Sequence, residues 1–217
     1  MFARKFSGES IEIADAFYRN QERFISGHTY ADFHDRLTEG GGIMQELLIA
    51  GETGTNAAPI DFGTFQALKK PLKVLALSED WCGDCTDNLP IVDRIARETG
   101  KLDFRILARD ENIDLDDQYL KNGQFRSIPV IIFMDENFNE IGHMIERPDS
   151  VTELRKRRRE EMHAAHPEFG GAQTPPDQLS EEVRSARYEA EWASREACRP
   201  EAIAEVMRVF NAIVSGN

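Results

Sequence analysis

Two hydrophobic rhythms divide the chain. Apolar positions recur at helical spacing through IEIADAFYRNQERFI and TYADFHDRL, so residues 1–70 read as helical and largely polar. Gly40, Gly41 and Gly42 end the second segment, IMQELLIAGE opens a third, and APIDFGTFQALKK predicts a short helix stopped by Pro71. The rhythm then changes. LKVLALSE holds an unbroken apolar run at 74–77, as a strand buried on both faces of a sheet requires. A helix follows from Cys82 to about Thr99 and closes on Gly100. DFRILARD predicts a strand, DLDDQYLKNG a short helix, and PVIIFMD and NEIGHMIE two further strands. The order βαβαββ predicts parallel pairing of the first two strands across a right-handed helical crossover. The last two strands should form an antiparallel hairpin turning through Asp135, Glu136 and Asn137.

From Val151 the pattern becomes a highly charged helix, TELRKRRREEMHAAH, followed by the Gly- and Pro-rich linker PEFGGAQTPPDQ. Beyond it, SEEVRSARYEAEWASREACRPEAIAEVMRVFNAIV predicts two helical pieces separated at Pro200. Three regions follow: a helical N-terminal extension at 1–70, an α/β core at 71–150 and charged C-terminal helices at 151–217. The last should pack on the core, because ~40 residues rarely sustain a core of their own. The glycines of GETGT at 51–55 lack the Lys and Ser/Thr end of a phosphate-binding loop and read as a turn.

Composition narrows the function classes. A formal charge of −13 opposes nucleic acid and anionic membranes, which are held largely by Lys and Arg. No apolar run approaches the ~20 residues of a membrane-spanning helix. The opening MFARKFSGESIEIADAF interleaves charges where a signal peptide needs a continuous apolar stretch, so a cytoplasmic location is expected. Three cysteines are too few for a disulfide framework, and a CxxC pair in a reducing compartment points to redox or metal chemistry.

The strand-to-helix junction EDWCGDC carries that chemistry. It puts Cys82 at a helix N-terminus, where unpaired backbone N–H groups and the helix dipole stabilise a thiolate, the species that attacks a disulfide. Cys85 lies one turn later on the same face, within bonding reach, so one sulfur can attack and the other resolve. Gly83 admits a substrate backbone, and Trp81 offers an apolar rim.

In these residues the sequence resembles the thioredoxin family, which carries Trp-Cys-x-x-Cys between a core strand and the next helix. Pro90 matches the proline that kinks the family's active-site helix, and Gly142 falls in the last strand, where the family tends to have glycine. FRSIPVIIF resembles the family's cis-proline loop, placing Pro129 opposite the cysteines with Ile128 before it. The likeness covers residues 72–146, and EDWCGDC, FRSIPV and ERP resemble a bacterial branch of thioredoxin-like proteins. It implies a thioredoxin-like α/β fold with a mixed central sheet flanked by helices. It also implies a thiol–disulfide oxidoreductase with Cys82 and Cys85 catalytic and with Trp81, Gly83, Ile128 and Pro129 in contact with substrate. The substrate would be a protein or small-thiol disulfide, the electron donor a thioredoxin reductase or a low-molecular-weight thiol, and no cofactor is called for.

Two positions depart from the family pattern. Where thioredoxins bury an acid six residues before the first cysteine, this chain has Ala76. Between the cysteines it has Asp84 instead of proline, with Glu79, Asp80 and Asp87 nearby. Such acids disfavour a thiolate, which predicts a Cys82 pKa at or above the roughly 7 of thioredoxin itself and a reducing couple tuned by Asp84. Two rival readings remain. One is a non-catalytic binding module; the other is a metal or cluster site completed in a dimer, since one CxxC supplies half a tetrahedral shell. Cys198 reads as packing, His163 and His166 as a weak metal pair, and the basic run at 155–159 as a solvated helix face.

Overall fold

The computed structural model describes residues 20–216. Most of the helix expected in IEIADAFYRNQERFI lies outside them; residues 20–26 are helical. Helix α1, Tyr30–Gly40, starts at a capping box in which Thr29 accepts from the Asp32 backbone and Asp32 accepts from the Thr29 N–H. Helix α2 runs Gly42–Ala57, and the single turn α3 is Gly63–Gln66. Strand β1 (Leu72–Ser78), helix α4 (Gly83–Thr99) and strand β2 (Leu102–Ala108) form the crossover unit. The short helix α5 (Ile113–Asp116) precedes the hairpin β3 (Val130–Met134) and β4 (Glu140–Ile145). Helices α6 (Asp149–Ala165) and α7 (Glu181–Ser215) complete the chain.

The sheet order is β2-β1-β3-β4, with β1 parallel to β2 and antiparallel to β3, and β3 antiparallel to β4. All five residues of β3 are buried, as the apolar run demands of a strand covered on both faces. The outer edge of β2 is partly capped by a bridge to His28, whose N–H donates to Ile106 O at 2.8 Å while Ile106 N–H donates back at 2.9 Å. On one face Ile203, Val206, Met207, Phe210 and Val214 of α7, at helical spacing, enter the main core. Phe210 meets Phe133 edge-on, with ring centroids 5.1 Å apart.

The helices differ from expectation at three places. The stretch GETGT is not a turn but the last part of α2, because its glycines are needed where helices approach closely. A Cβ on Gly51 would collide with the carbonyl of Thr86 on α4, and one on Gly54 with the side chain of Arg199 on α7. Pro200 does not divide the C-terminal helix, and α7 runs through it for 35 residues. The missing hydrogen bond is outweighed by anchors on both sides, Arg195 and Arg199 in ion pairs and Ile203 onward in the core. The helix expected in DLDDQYLKNG is confined to α5, after which the chain turns so that Lys121 N–H donates to Phe125 O. Among the described residues no helix is long and apolar enough to cross a membrane.

Candidate active site

Cys82 is the N-cap residue of α4, with extended backbone angles that set its side chain at the mouth of the helix. Its carbonyl accepts from the N–H groups of Cys85 (3.1 Å) and Thr86 (3.3 Å), which fixes the first turn. Cys82 is 7% exposed and Cys85 fully buried; both are free thiols. The Ile128–Pro129 peptide is cis, and the Cys82 thiol donates to Ile128 O across 3.4 Å. The loop is held in turn by Glu146 N–H donating to Pro129 O at 2.7 Å. The structure thus brings Cys82, Cys85, Ile128 and Pro129 together. Trp81 stands at the surface, 59% exposed, with the Arg109 guanidinium 5.4 Å from its ring centre.

The two thiols are electrically unequal. The Cys82 pKa is lowered, chiefly because Cys85 donates a hydrogen bond to its sulfur, against opposition from burial and from the Asp84 charge. Burial pushes the Cys85 pKa well up, and the neighbouring Cys82 adds to the rise. Ala76, in the place of the family's buried acid, is itself fully buried on β1. Two residues further along that strand, the buried Ser78 hydroxyl lies outside hydrogen-bond geometry yet close enough to favour a Cys85 thiolate.

The acids around the site are not free charges. Asp84 is bound by Arg147, and by Arg155 Nη1 at 2.7 Å. Asp87, buried, takes Arg155 Nη2 and Arg195 Nη2 at 2.5 Å each and Arg199 Nη1 at 2.6 Å. Burial alone would raise the Asp87 pKa, but the three guanidiniums outweigh it and hold the carboxyl below its usual range. Arg155 comes from the basic run read as a solvated face; it turns inward because two carboxylates one helical turn apart on α4 meet it there. Arg195 also donates to Gly83 O at 2.9 Å, so α7 touches the redox turn itself.

Sequence reasoning missed this arginine clamp. Its only local trace was the phrase ERP, whose Arg147 reaches Asp84. Cys198 is buried against Val151, Leu154 and Ala202, and its thiol donates to Arg195 O at 3.2 Å. His163 lies 3.0 Å from Gly170 O while His166 stacks on Phe169, so the two imidazoles face different partners. Among the described residues no group of three or more His, Cys, Asp or Glu side chains is placed to hold a metal ion.

A helix N-terminus bearing two cysteines, facing a cis-proline that opens a strand of a mixed sheet, defines a thioredoxin-like protein. A Thioredoxin family model matches residues 49–162, and the chain belongs to that family. No curated protein matches it. Among solved structures it is similar to a Pseudomonas aeruginosa protein of unknown function, with a TM-score of 0.59 and 22% identity over 90% of this chain and 96% of that one. It is also similar to an HIV epitope-scaffold, with a TM-score of 0.57 and 21% identity over 91% of this chain and 98% of that one. At such identities the likeness is one of fold.

Proposed function

We propose that this protein is a cytoplasmic thiol–disulfide oxidoreductase that works as a disulfide reductase. The observation that carries the reading is the unequal pair, Cys82 with a lowered pKa at the helix mouth beside Ile128 O and Cys85 with a raised one behind it. Cys82 attacks one sulfur of a substrate disulfide as a thiolate; the other substrate sulfur leaves as a thiolate and takes a proton from water. Cys85 then loses its proton and attacks the Cys82 sulfur, releasing the second substrate thiol. The substrate gains two electrons and the protein ends as the Cys82–Cys85 disulfide. A thioredoxin reductase or a low-molecular-weight thiol returns the electrons. Trp81, Gly83 and the backbone at Ile128 and Pro129 receive the substrate as an added extended strand.

A second reading, a non-catalytic binding module, draws on the low exposure of Cys82 and on the contact of Arg195 with Gly83 O. Insulin reduction with dithiothreitol, combined with trapping, separates the two. Wild type should reduce insulin, and Cys85→Ser should accumulate mixed disulfides in extract that reductant releases, while Cys82→Ser accumulates few. A binding module would retain partners non-covalently in both variants. No trapped partner together with no insulin reduction would end the reductase reading and leave the fold untouched.

A further inference from the structure

Helices α6 and α7 lie side by side, and a cavity of about 300 Å³ opens between them. Its walls follow helical spacing on both sides. Arg155, Arg158, Arg159 and Met162 come from one face of α6, and Glu191, Arg195 and Cys198 from one face of α7. Faces at this spacing in a packed helix pair are ordinarily apolar. Here they carry four guanidiniums against one carboxylate, in a chain whose formal charge is −13.

The carboxylates within reach are shared among several arginines. Glu191 is engaged by the buried Arg187 at 3.0 Å. Asp84 and Asp87 are shared among Arg147, Arg155, Arg195 and Arg199, of which Arg147 also meets Glu146 at 2.9 Å and Arg199 also meets Glu196 at 2.5 Å. Arg158 has Glu161 at 3.2 Å, and Arg159 approaches Glu191 no closer than 3.7 Å. The Nε–H groups of Arg155 and Arg195 are buried with no hydrogen-bond partner among the described residues. A buried donor left without a partner is costly, and both belong to side chains that line the cleft, so these arginines hold donor capacity that protein groups do not use.

We propose that this cleft is a binding site for the phosphate group of a small organic phosphate. Guanidinium forks suit a tetrahedral dianion because each offers two parallel donors to adjacent oxygens. The cavity is larger than a bare oxyanion needs, and Met162 and Cys198 give it an apolar wall for the remainder of the ligand. The cleft shares Arg155 and Arg195 with the clamp behind the dithiol, but its assignment does not rest on the redox reading.

Calorimetric titration of the full chain with inorganic phosphate and with phenyl phosphate, at ionic strength balanced with chloride, tests the site. One-site saturation by phenyl phosphate is expected, with a Kd of about 1 mM or tighter. Tighter binding of phenyl phosphate than of inorganic phosphate assigns an ester; equal or weaker binding assigns the free ion and overturns the organic part. The double variant Arg158→Gln/Arg159→Gln, at two half-exposed positions, should weaken binding at least about tenfold while the circular dichroism melt stays that of wild type. Lys156→Gln/Arg157→Gln, from the same basic run but outside the cleft, should bind as wild type does. Absence of saturable binding by either probe overturns the proposal. So does equal loss in the two double variants, which would mark a general charge effect.

Discussion

Arg195 donates to the carbonyl of Gly83, the residue that follows the first cysteine, from 112 positions further along the chain. The same guanidinium holds Asp87 at 2.5 Å, so one side chain ties the redox turn and the helix behind it to α7. The C-terminal helix is therefore joined to the site by charge as well as by its apolar contacts with the core.

Oxidation should give a single intramolecular disulfide, Cys82–Cys85, with Cys198 remaining a thiol. Cys198 is packed among Val151, Leu154 and Ala202, and burial raises its pKa, which suppresses the reactive thiolate. Peptide mapping of oxidised protein checks it; Cys198 paired with either of the others would contradict the packing.

Charge changes at the clamp should move the redox couple in opposite directions. Asp84 opposes the Cys82 thiolate, so Asp84→Asn should lower the Cys82 pKa and make the couple more oxidising. Arg147→Gln removes one of the two partners of Asp84 and should do the reverse. The expected scale is about 30 mV for each ~1.4 kcal/mol of thiolate stabilisation. Equilibration against glutathione reads both, and shifts of the same sign would disprove the clamp's electrostatic role.

Asp87 should dominate the stability of the docked α7. Removing it leaves three guanidiniums facing one another in a buried site, so Asp87→Ala should cost about 3–5 kcal/mol in urea unfolding. The depressed pKa of this carboxyl also fixes a pH dependence. Its contribution is complete above the unfolded value of about 4 and is lost as pH falls through the lower folded value. Asp87→Asn should therefore show a flatter decline of Tm below pH ~4 than wild type.

Gly51→Ala sets two known effects against each other. Alanine gains about 1 kcal/mol of helix propensity, but its methyl would strike the Thr86 carbonyl one residue past Cys85, and overpacking of this kind costs about 1–3 kcal/mol. A net loss of stability is expected, together with slower insulin reduction as the first turn of α4 is displaced. A more stable and fully active variant would mean that the helices separate freely.

The redox turn was legible because its signals are local. A buried apolar run, the CxxC at the following helix start and the SIPV loop each announce themselves within a few residues, and the structure joins them through the bond from Cys82 to Ile128 O. The clamp was illegible because neither half has meaning alone. Asp84 and Asp87 read as free acids beside a thiol, and the run at 155–159 as a wet helix face, until the fold puts them in contact. Gly51 and Pro200 misled for a related reason. Both residue types usually punctuate a chain, yet here one permits helices to touch and the other is carried by tertiary anchors on either side.

The separation of 112 positions between Gly83 and Arg195 has a consequence for the chain while it is being made. At ribosomal speeds of about 5–20 residues per second, the dithiol emerges roughly 6–22 s before the arginine that contacts its turn. During that interval Asp87 has neither Arg195 nor Arg199, and Phe133 has no Phe210 beside it. The nascent dithiol then stands on a turn that Arg195 does not yet hold. The unequal pKa values of the two cysteines come from each other and from burial close by, so what the distal helix adds late is the hold on the turn that carries them.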